Sequence, residues 1–280
     1  MPSTQDSTPG PFRDVKPAKP LAPWLGGKRN LAGRIIERVE AVPHDCYAEP
    51  FVGMGGIFLR RSKRPKSEIL NDLDGDIVNL FRIVREHPDE LDRQFDWAIA
   101  SRAEFRRLLE VPAETLTDVQ RAARFAYLQR LTFGGVPVSM ATPGRTGAFT
   151  PHGGAKLSAK RMRQLIRGMH ERLAGVHVER LEWDEFIRRY DQPFTLFYID
   201  PPYWGHEADY GKGLFSRDEF ARMAELLRGL KGHFILSLND RAEVRKTFDG
   251  FAFEKVTTSY SANAKSAKRW VGEVLISDPA

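Results

Sequence analysis

One stretch constrains this chain more than any other: the apolar run "FTLFYID" (194–200), which stops on Pro201-Pro202 and continues as Tyr203-Trp204. A short, continuously apolar run reads as a buried strand, because a strand with one wet face would alternate. A strand that only needs to stop uses Gly, Asn or one Pro. Two prolines lock φ twice and withhold two backbone donors. They hold a stiff turn whose carbonyls remain open as acceptors, directly after the acid Asp200.

The same kind of run recurs along the chain. Strands are expected at 45–51, 67–73, 194–200, 233–239, 251–260 and 270–277. Helical spacing is carried by Leu31, Ile35, Ile36 and Val39, and by Ile77, Val78, Phe81 and Val84. It recurs in the stripe Leu157, Met162, Leu165, Ile166, Met169 and Leu173. Ser101 with Glu104 and Ser216 with Glu219 have capping-box spacing. The second precedes Phe220, Met223, Leu226, Leu227 and Leu230, with Gly232 as the expected stop. Strands separated by helices imply a doubly wound, mostly parallel α/β sheet. The last two strands, joined only by the polar "SANAKSAKR", are expected as an antiparallel hairpin.

With 280 residues the chain holds one large domain or a domain with an insertion. The division read here has four parts. Residues 1–20 form a disordered, Pro-rich tail. Residues 21–84 and 175–280 form the core. Residues 85–174, helical and basic with a Gly/Pro/Thr-rich middle, form an inserted recognition domain. No apolar stretch is long enough to span a bilayer, and the N-terminus lacks a signal-peptide core. Cys46 is the only cysteine, so no internal disulfide can form, and a cytoplasmic setting is expected. The net charge of +6 suits a polyanionic partner, nucleic acid first, and equally suits a basic protein that touches none.

"YAEPFVGMGGIFLR" (47–60) reads as strand, glycine turn and helix start. Gly53, Gly55 and Gly56 let the backbone turn sharply and approach a ligand. The dinucleotide pattern G-x-G-x-x-G fails, because Phe58 stands where the third glycine belongs. A ligand without a pyrophosphate is expected, such as adenosine carrying an amino-acid tail; a purely structural turn is the alternative. Asp72 closes the next strand about 20 residues on, where an acid can accept from ribose hydroxyls. Asp74 and Asp76 compete for that role. "PWLGGKRN" (23–30) fails the phosphate-loop pattern twice. Trp24 there can cover a flat ligand and Lys28 can meet a carboxylate, or both can be plain core and surface residues. His44 and Cys46 have no second cluster at metal-ligand spacing.

Asp200, a rigid carbonyl and Tyr203 together suit an amino group on a flat ring. The acid and the carbonyl take its two N–H donors, and the aromatic stacks on the ring. Adenine N6 is a poor nucleophile because its lone pair is delocalised. Two acceptors on its hydrogens localise that pair for attack on a methyl sulfonium, with no metal and no covalent intermediate. Inside a duplex the base is unreachable, so it must be flipped out.

These residues resemble the Dam-type, D12-class DNA adenine-N6 methyltransferases. The matching text is "PWLGGKRNL", "AEPFVGMGGIFL", "LNDLDGDIVNLF", "FAYLQRLTFGG" and "YIDPPYW", in the family's order, from about residue 21 to the end. The resemblance implies S-adenosylmethionine as cofactor and double-stranded DNA as partner. It implies cofactor contacts from Trp24, Lys28, Asp72 and Asp200, with Phe51 and Gly53 lining the cofactor, and Asp200, Pro201, Pro202 and Tyr203 on the adenine. The family's "N-G-L-x-R" recognition segment is replaced here by "TFGGVPVSM", so no recognition sequence is carried over.

For the DNA backbone, Lys156, Lys160, Arg161, Arg163 and Arg167 cluster on and before one helix; a solvated helix face is the plain alternative. Arg145, in a Gly/Pro/Thr loop, is the candidate for base contact. Two other functions stay open: methylation of cytosine N4, RNA adenine or a protein amine, and a silent DNA-binding relative. A monomer is expected, and no residue pattern points to a partner endonuclease.

Overall fold

The computed structural model describes residues 12–24, 26–132, 157–207, 215–260 and 269–279. Its strands are β1 (Arg13–Asp14), β2 (Cys46–Glu49), β3 (Lys63–Arg64), β4 (Ser67–Asn71), β5 (His177–Glu179), β6 (Thr195–Ile199), β7 (His233–Asn239), β8 (Ala252–Tyr260) and β9 (Arg269–Ser277). Its α-helices are α1 (Ala32–Ala41), α2 (Gly75–Glu86), α3 (Pro88–Arg93), α4 (Arg102–Glu110), α5 (Asp118–Leu131), α6 (Ala159–Arg172), α7 (Trp183–Tyr190), α8 (Asp218–Arg228) and α9 (Ala242–Thr247).

Seven strands pair in the order β5-β4-β2-β6-β7-β9-β8. The first five are parallel, and β9 runs antiparallel between β7 and β8. The expected doubly wound sheet and the terminal hairpin are both present. All six strands read from the sequence form. β5 was not foreseen, because three residues are too few to show a period.

The central strand explains why both faces are apolar. Leu196 and Tyr198 point into one core, with Ile35, Leu80, Phe125 and Ile166 from the helices α1, α2, α5 and α6. Phe197 and Ile199, one residue out of phase, point into the other, with Phe186 of α7 and Phe220 of α8. Each face needs its own helical layer, which is what the continuous apolar runs require. The helices α5 and α6, from the stretch read as an insertion, share their core with α1 and α2.

Four local expectations differ from the structure. Residues 12–20, read as disordered, are tied down: β1 pairs with β3, and the Val15 and Ala18 N–H groups donate to Ser62 and Leu59 carbonyls. Ser216 does not cap α8; the N-cap position is Arg217, and the Glu219 side chain instead accepts from Trp183 Nε1 at 2.8 Å. Gly232 does not stop α8, which ends at Arg228. It leads into β7, where a Cβ would lie 2.5 Å from the Thr195 carbonyl oxygen. The glycine turn after β2 runs into a single 3₁₀ turn, Phe58–Arg60, not an α-helix. A full capping box, Thr117 with Gln120 before α5, was not read.

Candidate active site

The chain leaves β2 toward β4 and β5 on one side, and continues from β6 to β7 on the other. The strand order reverses between β2 and β6, so the loops after their C-terminal ends diverge and leave a crevice. The glycine turn and the Asp-Pro-Pro-Tyr turn both emerge there. A cavity at this point is lined by Trp24, Phe51, Gly53, Asp72, Asp200 and Pro202, among others.

On the glycine side, Gly53 sits at φ 49°, in the left-handed region, and donates its N–H to Asp72 Oδ2 at 2.9 Å. Asp74 donates its N–H to Asp72 Oδ1 at 3.0 Å. The Trp24 indole lies so close that a Cβ on Gly53 would stand 2.8 Å from its Nε1. Burial pushes the Asp72 carboxyl up to about 7, against the backbone donors of Asp74, Gly53 and Leu73 that favour its charge. Of its competitors, Asp74 caps α2 and Asp76 pairs with Arg121 at 2.5 Å. Gly55 faces away, against Leu59 and Phe81, while Gly56 lines the cavity.

On the proline side, Asp200 meets the Lys28 ammonium at 2.9 Å. Lys28 is 3% exposed; it also lies 3.6 Å from Glu273 Oε2 and donates to the Tyr203 hydroxyl. Burial pushes the Asp200 carboxyl up to about 6, while Lys28 pulls it down and the Glu273 charge adds to the rise. Pro201 and Pro202 are buried and Tyr203 is half-buried. Asn239, at the end of β7, holds the turn that follows. Its Nδ2 donates to the Trp204 carbonyl at 3.0 Å, and its Oδ1 accepts from the Trp204 N–H at 3.1 Å.

Lys28 lines the cavity and also contacts two carboxylates of the proline side, Asp200 and Glu273, because a buried ammonium needs opposite charge at contact. Arg29 and Arg60 are the other cations on the cavity wall among the described residues. On α6, Lys160 and Arg161 are exposed, whereas Arg163 is held by Asp92 at 2.6 Å and Asp96 at 2.8 Å, and Arg167 pairs with Asp89. Arg145 and Lys156 lie outside the described residues.

Four residues were not read from the sequence. Glu49 ends β2 on the cavity wall; burial pushes its carboxyl up to about 8, and it accepts from the Tyr47 hydroxyl at 2.5 Å. Glu273 reaches the site from β9. Asn71 and Asn239 end β4 and β7, and each grips backbone on both sides; Asn71 donates to the Pro50 and Leu181 carbonyls and accepts from the Leu181 N–H. A signal for that pair existed, since "SEILN" and "HFILSLN" both close an apolar strand on asparagine.

The cavity wall combines aromatic and apolar surface (Trp24, Phe51, Ile77) with carboxylates (Asp72, Asp74, Glu182, Asp200). That set suits a flat ring, hydroxyl donors and a positive charge, as S-adenosylmethionine carries. The family described as D12 class N6 adenine-specific DNA methyltransferase matches residues 24–262. The chain belongs to this family. The D12 enzyme methylates adenine N6 in DNA site-specifically, with S-adenosylmethionine as methyl donor. Among curated relatives, the type II methyltransferase M1.LlaDCHI of Lactococcus lactis subsp. cremoris is 23% identical, covering 93% of this chain and 95% of its own. The type II methyltransferase M.CviBI of Paramecium bursaria Chlorella virus NC1A is 22% identical over 89% of this chain and 94% of its own. The DNA adenine methylase of Salmonella typhi is 27% identical over 93% of this chain and 95% of its own. Of the three functions left open, the DNA adenine enzyme is the one the family carries.

Proposed function

We propose that Asp200 and a carbonyl of the Pro201–Pro202 turn accept the two N6 hydrogens of a flipped adenine, while Tyr203 stacks on its ring. The observation that carries this is the Asp200–Lys28 contact at 2.9 Å. Burial alone would drive the Asp200 carboxyl toward its neutral form, which is a poorer acceptor. The Lys28 ammonium opposes that drive and keeps the charge available at neutral pH. The two acceptors localise the N6 lone pair, and the stiff turn keeps them aligned.

Trp24, Phe51, Gly53 and Asp72 hold the cofactor in this reading. Bound there, S-adenosylmethionine supplies an electrophilic methyl group. Trp24 and Phe51 cover its flat part, and Asp72 offers its remaining lone pairs to hydroxyls.

The partner is double-stranded DNA. Lys160 and Arg161 contact phosphates, and Arg145 reads a base. Residues 85–174 act as the recognition part, through the segment that follows α5, while the apolar faces of α5 and α6 serve the core. Residues 21–84 and 175–280 form the catalytic core. The enzyme works as a monomer in the cytoplasm; no helix among the described residues is long and apolar enough to cross a membrane.

Labelled-methyl transfer to duplex DNA tests this reading. Asp200→Asn keeps the shape and loses the charge, so turnover should fall by about 10²-fold or more. Turnover near the parent's would remove Asp200 from the reaction.

A further inference from the structure

Glu273 reaches the Lys28 ammonium from behind the cavity wall, which it does not itself line. It lies on β9, 0% exposed, with Ser237 Oγ donating to its Oε2 at 3.4 Å and the Lys28 ammonium 3.6 Å from the same oxygen. An acid buried this deeply is costly to keep without a cation and hydrogen bonds. The cation it meets is the one that also contacts Asp200.

We infer that Glu273 is a positioning residue for methyl transfer: it shares the Lys28 ammonium with Asp200, so that Lys28 never fully neutralises the acceptor of the N6 hydrogens. The inference rests on the proposed role of Asp200. Three strands and one loop build the arrangement: Lys28 from the loop before α1, Asp200 beyond β6, Ser237 on β7 and Glu273 on β9. One ammonium faces two carboxylates, so the cluster keeps an excess negative charge where a cationic methyl donor and two N–H donors have to be held. With a neutral residue at 273, Asp200 would be the carboxylate left on Lys28 among the described residues. The pair would be self-satisfied, and Asp200 would be a weaker acceptor.

The other groups around Asp200 do not substitute for this. Tyr203 takes a hydrogen bond from Lys28 and carries no charge near neutral pH. Tyr198, on β6, favours the Asp200 charge as a neutral hydrogen-bond partner, and burial holds its own hydroxyl well above its ordinary pKa. Glu49, from β2, is held largely protonated by burial. Glu273 is therefore the second carboxylate in contact with the Lys28 ammonium among the described residues.

The test is the pH profile of methyl transfer to duplex DNA. In the parent, the rate should fall on the acid side as Asp200 takes up a proton. Glu273→Gln keeps the shape and removes the charge. It should move that limb down by about one pH unit and lower the plateau by roughly tenfold. Lys28→Met should move the limb the other way, toward higher pH, because it leaves two buried carboxylates without their cation. The double variant should not show the sum of the two shifts, since the residues act on one group. An unmoved limb in Glu273→Gln, with a merely scaled rate, would overturn the inference and leave the Asp200 reading standing. If Glu273→Gln does not fold, Lys28→Met decides by its direction: a limb that stays or moves down overturns it. A parent with no acid limb, together with an active Asp200→Asn, would instead remove the reading on which the inference rests.

Discussion

Asn239 holds both ends of the Trp204 peptide unit: its Oδ1 accepts from the Trp204 N–H at 3.1 Å, and its Nδ2 donates to the Trp204 carbonyl at 3.0 Å. Pro201 and Pro202 cannot donate hydrogen bonds, so the turn gains no such support of its own until Tyr203. Anchoring comes from the neighbouring strand β7, just past the prolines' own span. Asn239→Ala should loosen the acceptors without touching the glycine side. Turnover should fall by about 10- to 100-fold, while the cofactor's shift in melting temperature persists. Unchanged turnover would mean that the prolines alone hold the turn.

Gly53 tests the other side. Its φ of 49° disfavours any Cβ, and the Trp24 indole fills the space a Cβ would need. Gly53→Ala should cost about 1–2 kcal/mol in stability from the backbone conformation, and more from the displaced indole. The melting-temperature gain with S-adenosylmethionine should shrink, since Trp24 would move off the cavity wall. A full gain in that variant would place the cofactor away from Trp24.

Buried acids make the free protein's stability depend on pH in a set direction. Burial raises the Glu49 carboxyl to about 8 from an ordinary 4.5. A carboxyl raised in the folded state binds protons that the unfolded state has released. Its contribution is fully present below the unfolded pKa and is lost as pH rises through about 8. Ligand-free melting temperature should therefore fall as pH rises from about 4.5 to about 8, and level off above that. Glu49→Gln should flatten that slope. A slope equal to the parent's would mean that Glu49 is ionised throughout.

The basic face of α6 divides in two. All three of Lys160, Arg161 and Arg163 are exposed, and Arg163 is tied to Asp92 and Asp96. Lys160→Ala with Arg161→Ala should flatten the salt dependence of DNA affinity by roughly one unit for each phosphate that is no longer neutralised. Arg163→Ala should leave that slope in place and lower the melting temperature instead. Equal slopes for all three proteins would turn this face to solvent.

The sequence by itself determined the sheet, its two covered faces and the position of the crevice. Each rests on a local cause. Continuous apolar runs such as "FTLFYI" demand burial on both faces, Gly53 and the Pro201–Pro202 pair dictate turns over a few residues, and Asp72 and Asp200 follow directly on their strands. Tertiary structure alone decided who shares the ions. Lys28 lies far from Asp200, Tyr203 and Glu273 along the chain, and no period or spacing records which carboxylate a lysine will meet. Glu273 looks like the polar member of an ordinary strand until β9 is inserted between β7 and β8, which buries it beside the Lys28 ammonium. Arg163 reads as a phosphate contact until α3 brings Asp92 against it. Turns and strands are written in neighbouring residues, whereas the charge on a buried group is set by whatever the whole fold places around it.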